Sequence, residues 1–237
     1  MVNNKKLSVV IPCYNEEQGI EKVLTSMPDF IDEIIVVDNN CTDRTAEVAT
    51  DLGAYVVQEP RRGYGRAYKT GLKEASGEII ITMDGDFTYP TFAISYLLNV
   101  FFEDELDFLS ARRIPVEISK KFNNVQRYMG NLFLTSMVWI LFRQNIKDSQ
   151  SGMWIFWKRI LPSLTLTQDG MAFSEELKLE AFRDPYIKSR EVPIQFKYLE
   201  RVGDSKLHLW KDGMRNLLFL FKKRFNDSGI KKDHEAL

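Results

Sequence analysis

Short apolar runs alternate with segments of helical pattern through the first 83 residues, and this alternation restricts the fold more than any other feature of the chain. The runs are "LSVVIP" (7–12), "EIIVVD" (33–38), "AYVVQ" (54–58) and "EIIITM" (78–83). Between them, "EEQGIEKVLTSM" (16–27) carries Ile20, Val23 and Leu24 at helical spacing. "CTDRTAEVATDLG" (41–53) offers Thr42 as a cap and Gly53 as a stop, and "GRAYKTGLKEASG" (65–77) ends at Gly77. Strands separated by helices in this way predict an α/β fold, a mostly parallel central sheet with helices on both faces.

Such sheets bind ligands beyond the carboxyl ends of their strands. Here those ends read "PCYNEE" (12–17), "DNNCTD" (38–43), "PRRGYGR" (60–66) and "DGDFTYP" (84–90). Each is polar or glycine-rich, and all four are expected to converge on one crevice.

The second half is less regular. "LDFLSARR" (106–113) reads as a strand ending in two arginines, and "KFNNVQRYMGNLFLTSMVWILFRQ" (121–144) as a long apolar helix or helix pair. "MWIFWKR" (153–159) is strand-like, "SEELKLEAFR" (174–183) helical and "EVPIQFKYLE" (191–200) a strand. A basic amphipathic helix over about 206–226 closes the pattern. With no internal repeat and no low-complexity linker, one domain over 1–237 is expected. A hydrophobic content of 44% supplies one core, and a net charge of −1 carries no nucleic-acid signature. Cys13 and Cys41 read as small buried thiols. The N-terminus runs straight into a strand, with no signal-peptide pattern. No apolar run reaches the ~18–20 residues that span a bilayer.

Asp84-Gly85-Asp86 follows a buried strand, so two like charges sit one residue apart. A divalent cation reconciles them: Mg²⁺ and Mn²⁺ take oxygen ligands, and Mg²⁺ often joins one or two carboxylates to substrate phosphates. The plain alternative is a solvated Asp-Gly turn. Asp38 also ends an apolar run, placed either to accept hydrogen bonds from a base edge or ribose or to cap a helix. "PRRGYGRAYKTG" looks like a glycine-rich phosphate loop, but it has neither the P-loop spacing nor the dinucleotide fingerprint. That argues against an ATPase and against a dehydrogenase.

Taken together, "VVIPCYNEE", "IIVVDNNCTDRTAEVA", "RRGYGRAYKTGLKEASGEIIITMDGD" and "YLERVGDSKL" resemble the family 2 glycosyltransferases of the GT-A fold. The similarity runs over about residues 6–210 and is nearest to the dolichol-phosphate mannosyltransferase-like, or polyprenyl-phosphate glycosyltransferase, branch. It implies that Pro12, Tyr14, Glu16, Val37 and Asp38 line the nucleotide base and ribose, with Gly85 against the nucleotide. It implies that Asp84 and Asp86 hold Mg²⁺ or Mn²⁺ and the diphosphate. Thr88 stands where some relatives carry a third metal ligand, a glutamine, and water can take that place. Arg112 and Arg127 fall where relatives turn arginines to the phosphates. Asp148, Gln150, Glu176, Arg201, Ser205 and Lys206 fall on acceptor-side motifs, and Trp154 replaces a common arginine.

The chemistry narrows the acceptor. A hydroxyl acceptor needs a general base, for which Asp148 is the obvious carboxylate, or else Asp148 is a cap or an arginine partner. A phosphate monoester, with a second pKa near ~6, is already an anion and needs cations instead. The leading expectation is therefore an inverting transfer from a UDP- or GDP-sugar to a polyprenyl or dolichyl phosphate. The rival readings are a glycan or other hydroxyl acceptor, and a non-catalytic nucleotide-binding domain. Trp210, Met214, Leu217, Leu218, Phe221 and Phe225 recur at helical spacing beside Lys222, Lys223 and Arg224. That helix, or the apolar 132–142 segment, is expected to lie on an anionic membrane surface or to pack on the domain. A peripheral location on the cytoplasmic face of a membrane follows as the expectation.

Overall fold

The computed structural model describes residues 2–115, 122–196 and 209–230. Seven strands form one sheet: β1 (Leu7–Cys13), β2 (Glu33–Asp38), β3 (Tyr55–Gln58), β4 (Ile79–Thr82), β5 (Phe108–Pro115), β6 (Trp154–Trp157) and β7 (Ser189–Phe196). Their spatial order is β3-β2-β1-β4-β6-β5-β7. All run in one direction except β6, which is antiparallel to both its neighbours. The expected α/β fold is present, with one reversed strand wedged into the parallel set.

Strand residues divide between two cores because side chains alternate across a sheet. Val9, Ile11, Ile79 and Ile81 face α1 (Glu17–Thr25), α2 (Thr45–Asp51) and α4 (Ala93–Glu103). Val10, Ile80 and Phe156 face α3 (Tyr64–Glu74) and α6 (Phe173–Arg183). The helices dock through stripes at helical spacing, such as Ile20, Val23 and Leu24 on α1. On α3, Gly71 lets the helix sit on the sheet, since a Cβ there would lie 2.5 Å from Val10. A third cluster joins α5 (Phe122–Phe142), α6 and α7 (Leu209–Ile230) through Val138, Leu179, Phe219 and Leu220.

Two expected boundaries move. Helix α2 starts at Thr45, and Asp43 rather than Thr42 serves its first turn, its Oδ1 accepting from the Thr45 amide at 3.0 Å. The Thr42 amide instead donates to Asn15 Oδ1 at 2.7 Å, tying the loop after β2 to the loop after β1. Helix α3 ends at Glu74, and Gly77 is needed for close approach, a Cβ there falling 2.5 Å from Ser8 Oγ.

The chain steps outward from β1 to β2 and β3, then crosses back to place β4 on the other side of β1. A crevice opens where the direction of winding reverses. That point lies beyond Cys13 of β1 and Thr82 of β4, where Asp84-Gly85-Asp86 follows.

Candidate active site

A cleft of about 1080 Å³ lies at this point. Asp84, Asp86, Arg62 and Tyr64 line its floor, residues 165–172 one wall, and α7 the roof. Asp86 is 6% exposed, and its Oδ1 accepts from the Thr88 amide at 3.1 Å and from Thr88 Oγ1 at 2.6 Å. Phe87 holds a left-handed backbone (φ 61°), which folds Thr88 back onto Asp86. The Thr88 hydroxyl thus serves Asp86 directly. A Cβ on Gly85 would lie 2.6 Å from Cys13 Sγ, so this glycine lets the loop settle onto the end of β1.

Asp84 accepts a hydrogen bond from the Tyr64 hydroxyl at 2.9 Å. Burial, with the charge of Asp84 beside it, pushes the Tyr64 pKa well above its ordinary value, so Tyr64 stays a donor. Gly152 packs against both, since a Cβ there would meet Tyr64 Oη at 2.5 Å and Asp84 Oδ1 at 3.1 Å. Its peptide is pinned: the N–H donates to Tyr89 Oη at 2.8 Å, and the carbonyl accepts from Thr82 Oγ1 at 2.9 Å and Tyr68 Oη at 3.3 Å. This aromatic cage around the first aspartate escapes sequence reasoning, because Tyr64, Gly152 and Asp84 are distant in the chain.

On the other side of the crevice, Asp38 is 6% exposed and its Oδ1 accepts from the Cys41 amide at 2.8 Å. Tyr14 stacks under the Arg62 guanidinium, 4.3 Å from ring centroid to Cζ. The Glu16 amide donates to Thr45 Oγ1 at 2.9 Å. Val37 is fully buried, its side chain against α3 and its main chain in the ladder between β1 and β3, one residue before Asp38. Pro12 pairs with Val37 in the sheet register. Asn39 binds the neighbouring loop together, donating to Glu59 O (3.1 Å) and Arg61 O (2.8 Å) and accepting from the Gly63 amide (2.8 Å). Both thiols are free; burial pushes the Cys13 pKa well up and the Cys41 pKa to about 12, so both stay protonated.

The glycine-rich stretch does not present its amides to the cleft. Those of Gly65 and Arg66 donate to Gly170 O (3.3 Å) and Asp169 O (3.1 Å), and a Cβ on Gly63 or Gly65 would strike the 168–169 backbone. The glycines serve close packing of α3 against residues 168–170. Glu176 holds the same wall, accepting from the amides of Thr167 and Gln168, each at 2.8 Å.

Strand β5 runs two residues past the expected end at the arginines, to Pro115, and Arg112 and Arg113 within it point to opposite faces, as neighbours in a strand must. Arg113 grips Asp148 with two side-chain bonds of 2.8 Å each, and its amide adds a third at 3.0 Å. Asn131 Nδ2 donates to Oδ1 of the same carboxylate at 3.0 Å. Burial pushes the Asp148 pKa up, but the Arg113 charge and these bonds hold it well below the carboxylate range. Arg112 is half-buried on the opposite face. Beneath, the fully buried Lys178 donates to the Asp148 carbonyl and to Glu191 Oε1 at 3.0 Å, fixing the 147–150 segment. Gln150 reaches across to α7, accepting from Asn216 Nδ2 at 2.9 Å. Arg127 lies on α5, while Arg201, Ser205 and Lys206 lie outside the described residues.

Glu175 is 1% exposed beside Ser149, and burial pushes its pKa up to about 8, against the hydrogen bonds of Ser149 and Gln150 and the charge of Lys178. From its ordinary value of 4.5 up to about 8, the unfolded chain releases this proton while the folded chain keeps it. Stability therefore falls as pH rises across that window. Glu175→Gln is expected to flatten the dependence, melting several degrees above the parent at about pH 9 and level with it at about pH 4. Thermal melts of both proteins over that range check this.

Among the described residues no group of three His, Cys, Asp or Glu side chains gathers as a ready-made cation site. The donor chemistry at Asp84 and Asp86 still fits Mg²⁺ or Mn²⁺, with phosphate oxygens and water completing the shell.

Known proteins resemble this chain in sequence and in fold. A dolichyl-phosphate hexose transferase of Haloferax volcanii is 30% identical over 212 residues, covering 87% of this chain and 89% of that protein. A low-salt glycan biosynthesis hexosyltransferase of the same organism is 29% identical over 221 residues, or 90% of this chain; the match spans only 52% of that relative. Among solved structures, glucosyl-3-phosphoglycerate synthase from Mycobacterium tuberculosis, with Mn²⁺, UDP-glucose and phosphoglyceric acid, superposes with a TM-score of 0.73. Its sequence identity is 21%, with 93% of this chain and 80% of that one covered, so the likeness is one of fold. The sequence model for glycosyl transferase family 2 matches residues 8–164. Because that match runs from β1 to the helical turn after β6 and takes in both aspartates, the chain belongs to glycosyl transferase family 2.

Proposed function

We propose that this glycosyltransferase moves a sugar, with inversion, from a UDP- or GDP-sugar to a polyprenyl or dolichyl phosphate at the cytoplasmic face of a membrane. The observation that carries the reading is the placement of Asp84 and Asp86 under a roof helix whose outer side is apolar and exposed. The base and ribose lie between Tyr14 and Asp38, near Pro12, Glu16 and Val37, and the diphosphate reaches Asp84, Gly85 and Asp86. These aspartates would hold Mg²⁺ or Mn²⁺, which offsets the charge developing on the leaving diphosphate. Tyr64 keeps Asp84 in place. Arg112 and Arg127 meet phosphate oxygens, and Gln150, Glu176, Arg201, Ser205 and Lys206 belong to the acceptor side. Asp148 has both oxygens committed to Arg113 and Asn131, which suits a positioning role and favours an acceptor that arrives already ionised.

The membrane side rests on exposure. Among the described residues no helix is long and apolar enough to cross a bilayer. Yet Trp210, Met214, Phe221 and Phe225 follow one another along α7, with Trp210 84% and Phe225 70% exposed. Helix α5 packs on α7 through its inner side and leaves Met129, Phe133, Trp139 and Ile140 outside. Lys223 departs from the expected basic flank, being paired with Glu180 Oε1 at 2.7 Å. Replacing Trp210 and Phe225 together by glutamate is expected to weaken binding to anionic vesicles at least about tenfold, since burying one aromatic side chain is worth ~1.5–3 kcal/mol. Vesicle flotation checks it. The reaction itself is tested by offering labelled nucleotide sugars with a short polyprenyl phosphate. Label in the organic-extractable lipid supports the reading; label only in water-soluble products refutes it.

A further inference from the structure

Helix α7 has a second face, turned into the cleft rather than away from it. Asn216, Leu218, Phe219 and Lys222 line the cleft that Asp84 and Asp86 also line. Asn216 is 3% exposed, its Nδ2 is committed to Gln150, and its Oδ1 is buried with no hydrogen-bond partner. A buried polar atom left in this state costs about 1–3 kcal/mol, so a donor from a ligand or its hydration shell is the natural completion. Most charges in the cleft are already answered. Asp169 pairs with Arg66 and Lys69, Glu176 with the 167–168 amides, Lys223 with Glu180, and Arg215 lies 3.9 Å from Asp212. Lys222 pairs with no carboxylate among the described residues. Helix α7 therefore brings a cation and a buried amide, six residues apart, to the cleft that the two aspartates also line.

We propose that Lys222 and Asn216 form a cradle for the acceptor's phosphate monoester, so that α7 is part of the binding site and not only an anchor. This rests on the lipid-phosphate reading above. The chemistry recognised is a phosphate monoester, and the exposed apolar row on the opposite side of α7 commits it to one carried by a lipid. The helix lying on the bilayer would then hold its inner face where a headgroup phosphate enters: Lys222 supplies charge, and Asn216 Oδ1 accepts from a water of the phosphate's hydration shell.

The test uses the full chain and vesicles of uncharged lipid, with and without polyprenyl phosphate. Doping should raise wild-type binding. Lys222→Ala and Asn216→Ala should each cut that increment about tenfold, the scale of one charged hydrogen bond, while Lys222→Arg restores it and Lys211→Ala leaves it whole. In the transfer assay both alanine variants should raise KM for the lipid by a similar factor and leave KM for the nucleotide sugar within about twofold. The idea is overturned if doping adds nothing to wild-type binding or if both alanine variants keep the full increment. It is equally overturned if inorganic phosphate at the same concentration displaces the protein as well as the lipid does. If wild-type binds the doped vesicles through Lys222 but no nucleotide sugar is transferred, the cradle stands and the transferase reading falls.

Discussion

Asp86→Ala is expected to abolish sugar transfer, a loss of at least about 10³-fold, while the protein stays folded. The magnitude follows from what the pair would do: a bound cation stabilises the leaving diphosphate by several kcal/mol, and each ~1.4 kcal/mol is tenfold in rate. The fold should survive because the costs nearly offset. The variant loses the turn bonds from the Thr88 amide and hydroxyl to Asp86 Oδ1, worth about 1 kcal/mol each. It also removes one of two like charges separated only by Gly85. Three measurements decide it: transfer of labelled sugar, the melting curve, and nucleoside-diphosphate binding titrated with and without Mn²⁺. The variant should bind nucleotide no better with the metal than without it. Wild-type-like transfer, or full wild-type activity in excess chelator, would remove Asp86 from the proposed metal site.

The pair was open to sequence reasoning because its signal is local. An apolar run, Ile79–Ile81, cannot end in two acids without a reason, and the run and the acids are adjacent in the chain. The same holds for β1 and β2, whose β-branched residues are bounded by turn-forming ones, and for the α1 stripe of Ile20, Val23 and Leu24. Where the signal depends on pairing across the sheet, it fades. Nothing in "WIFW" says that β6 runs against its neighbours, since its direction shows only in its pairing with β4 and β5, which lie far off in the chain. Helix α4 buries Ile94, Leu97, Leu98 and Phe101 at helical spacing, but it carries no side-chain cap and its outer face keeps Tyr96, so its start is not marked in the sequence.

The glycines of "PRRGYGR" show the other limit. Composition and position suggested a phosphate loop, yet their lack of a side chain is spent on residues 168–170, a hundred positions away in the chain. A glycine announces that something approaches closely. Only the folded chain says whether that is a ligand or another stretch of backbone. Gly152 belongs to the second kind, and its neighbour happens to be the first aspartate of the site.

Gly152→Ala is expected to lower transfer by about 10–100-fold, the usual cost of disturbing a group that orients a metal ligand, the role proposed for Asp84. The added methyl would stand 2.5 Å from Tyr64 Oη and 3.1 Å from Asp84 Oδ1, so one of them must move. The Gly152 peptide cannot retreat easily, being held by Tyr89 on one side and by Thr82 and Tyr68 on the other. Tyr64 is wedged as well, its ring edge-on to Tyr68 at 4.9 Å between centroids. The strain therefore falls on the Tyr64–Asp84 bond. Stability should drop by about 1–3 kcal/mol, the range for overpacking. Activity and stability can be separated by a double-mutant cycle. Tyr64→Phe alone removes the bond to Asp84 and should cost about tenfold in kcat/KM, within that same range. In the Tyr64→Phe background the clashing oxygen is gone, so adding Gly152→Ala should cost much less than it does in the parent. Losses that simply multiply would mean that Gly152 acts on Asp84 without passing through Tyr64. An alanine variant with parental activity would mean that this cage does not position the aspartate at all.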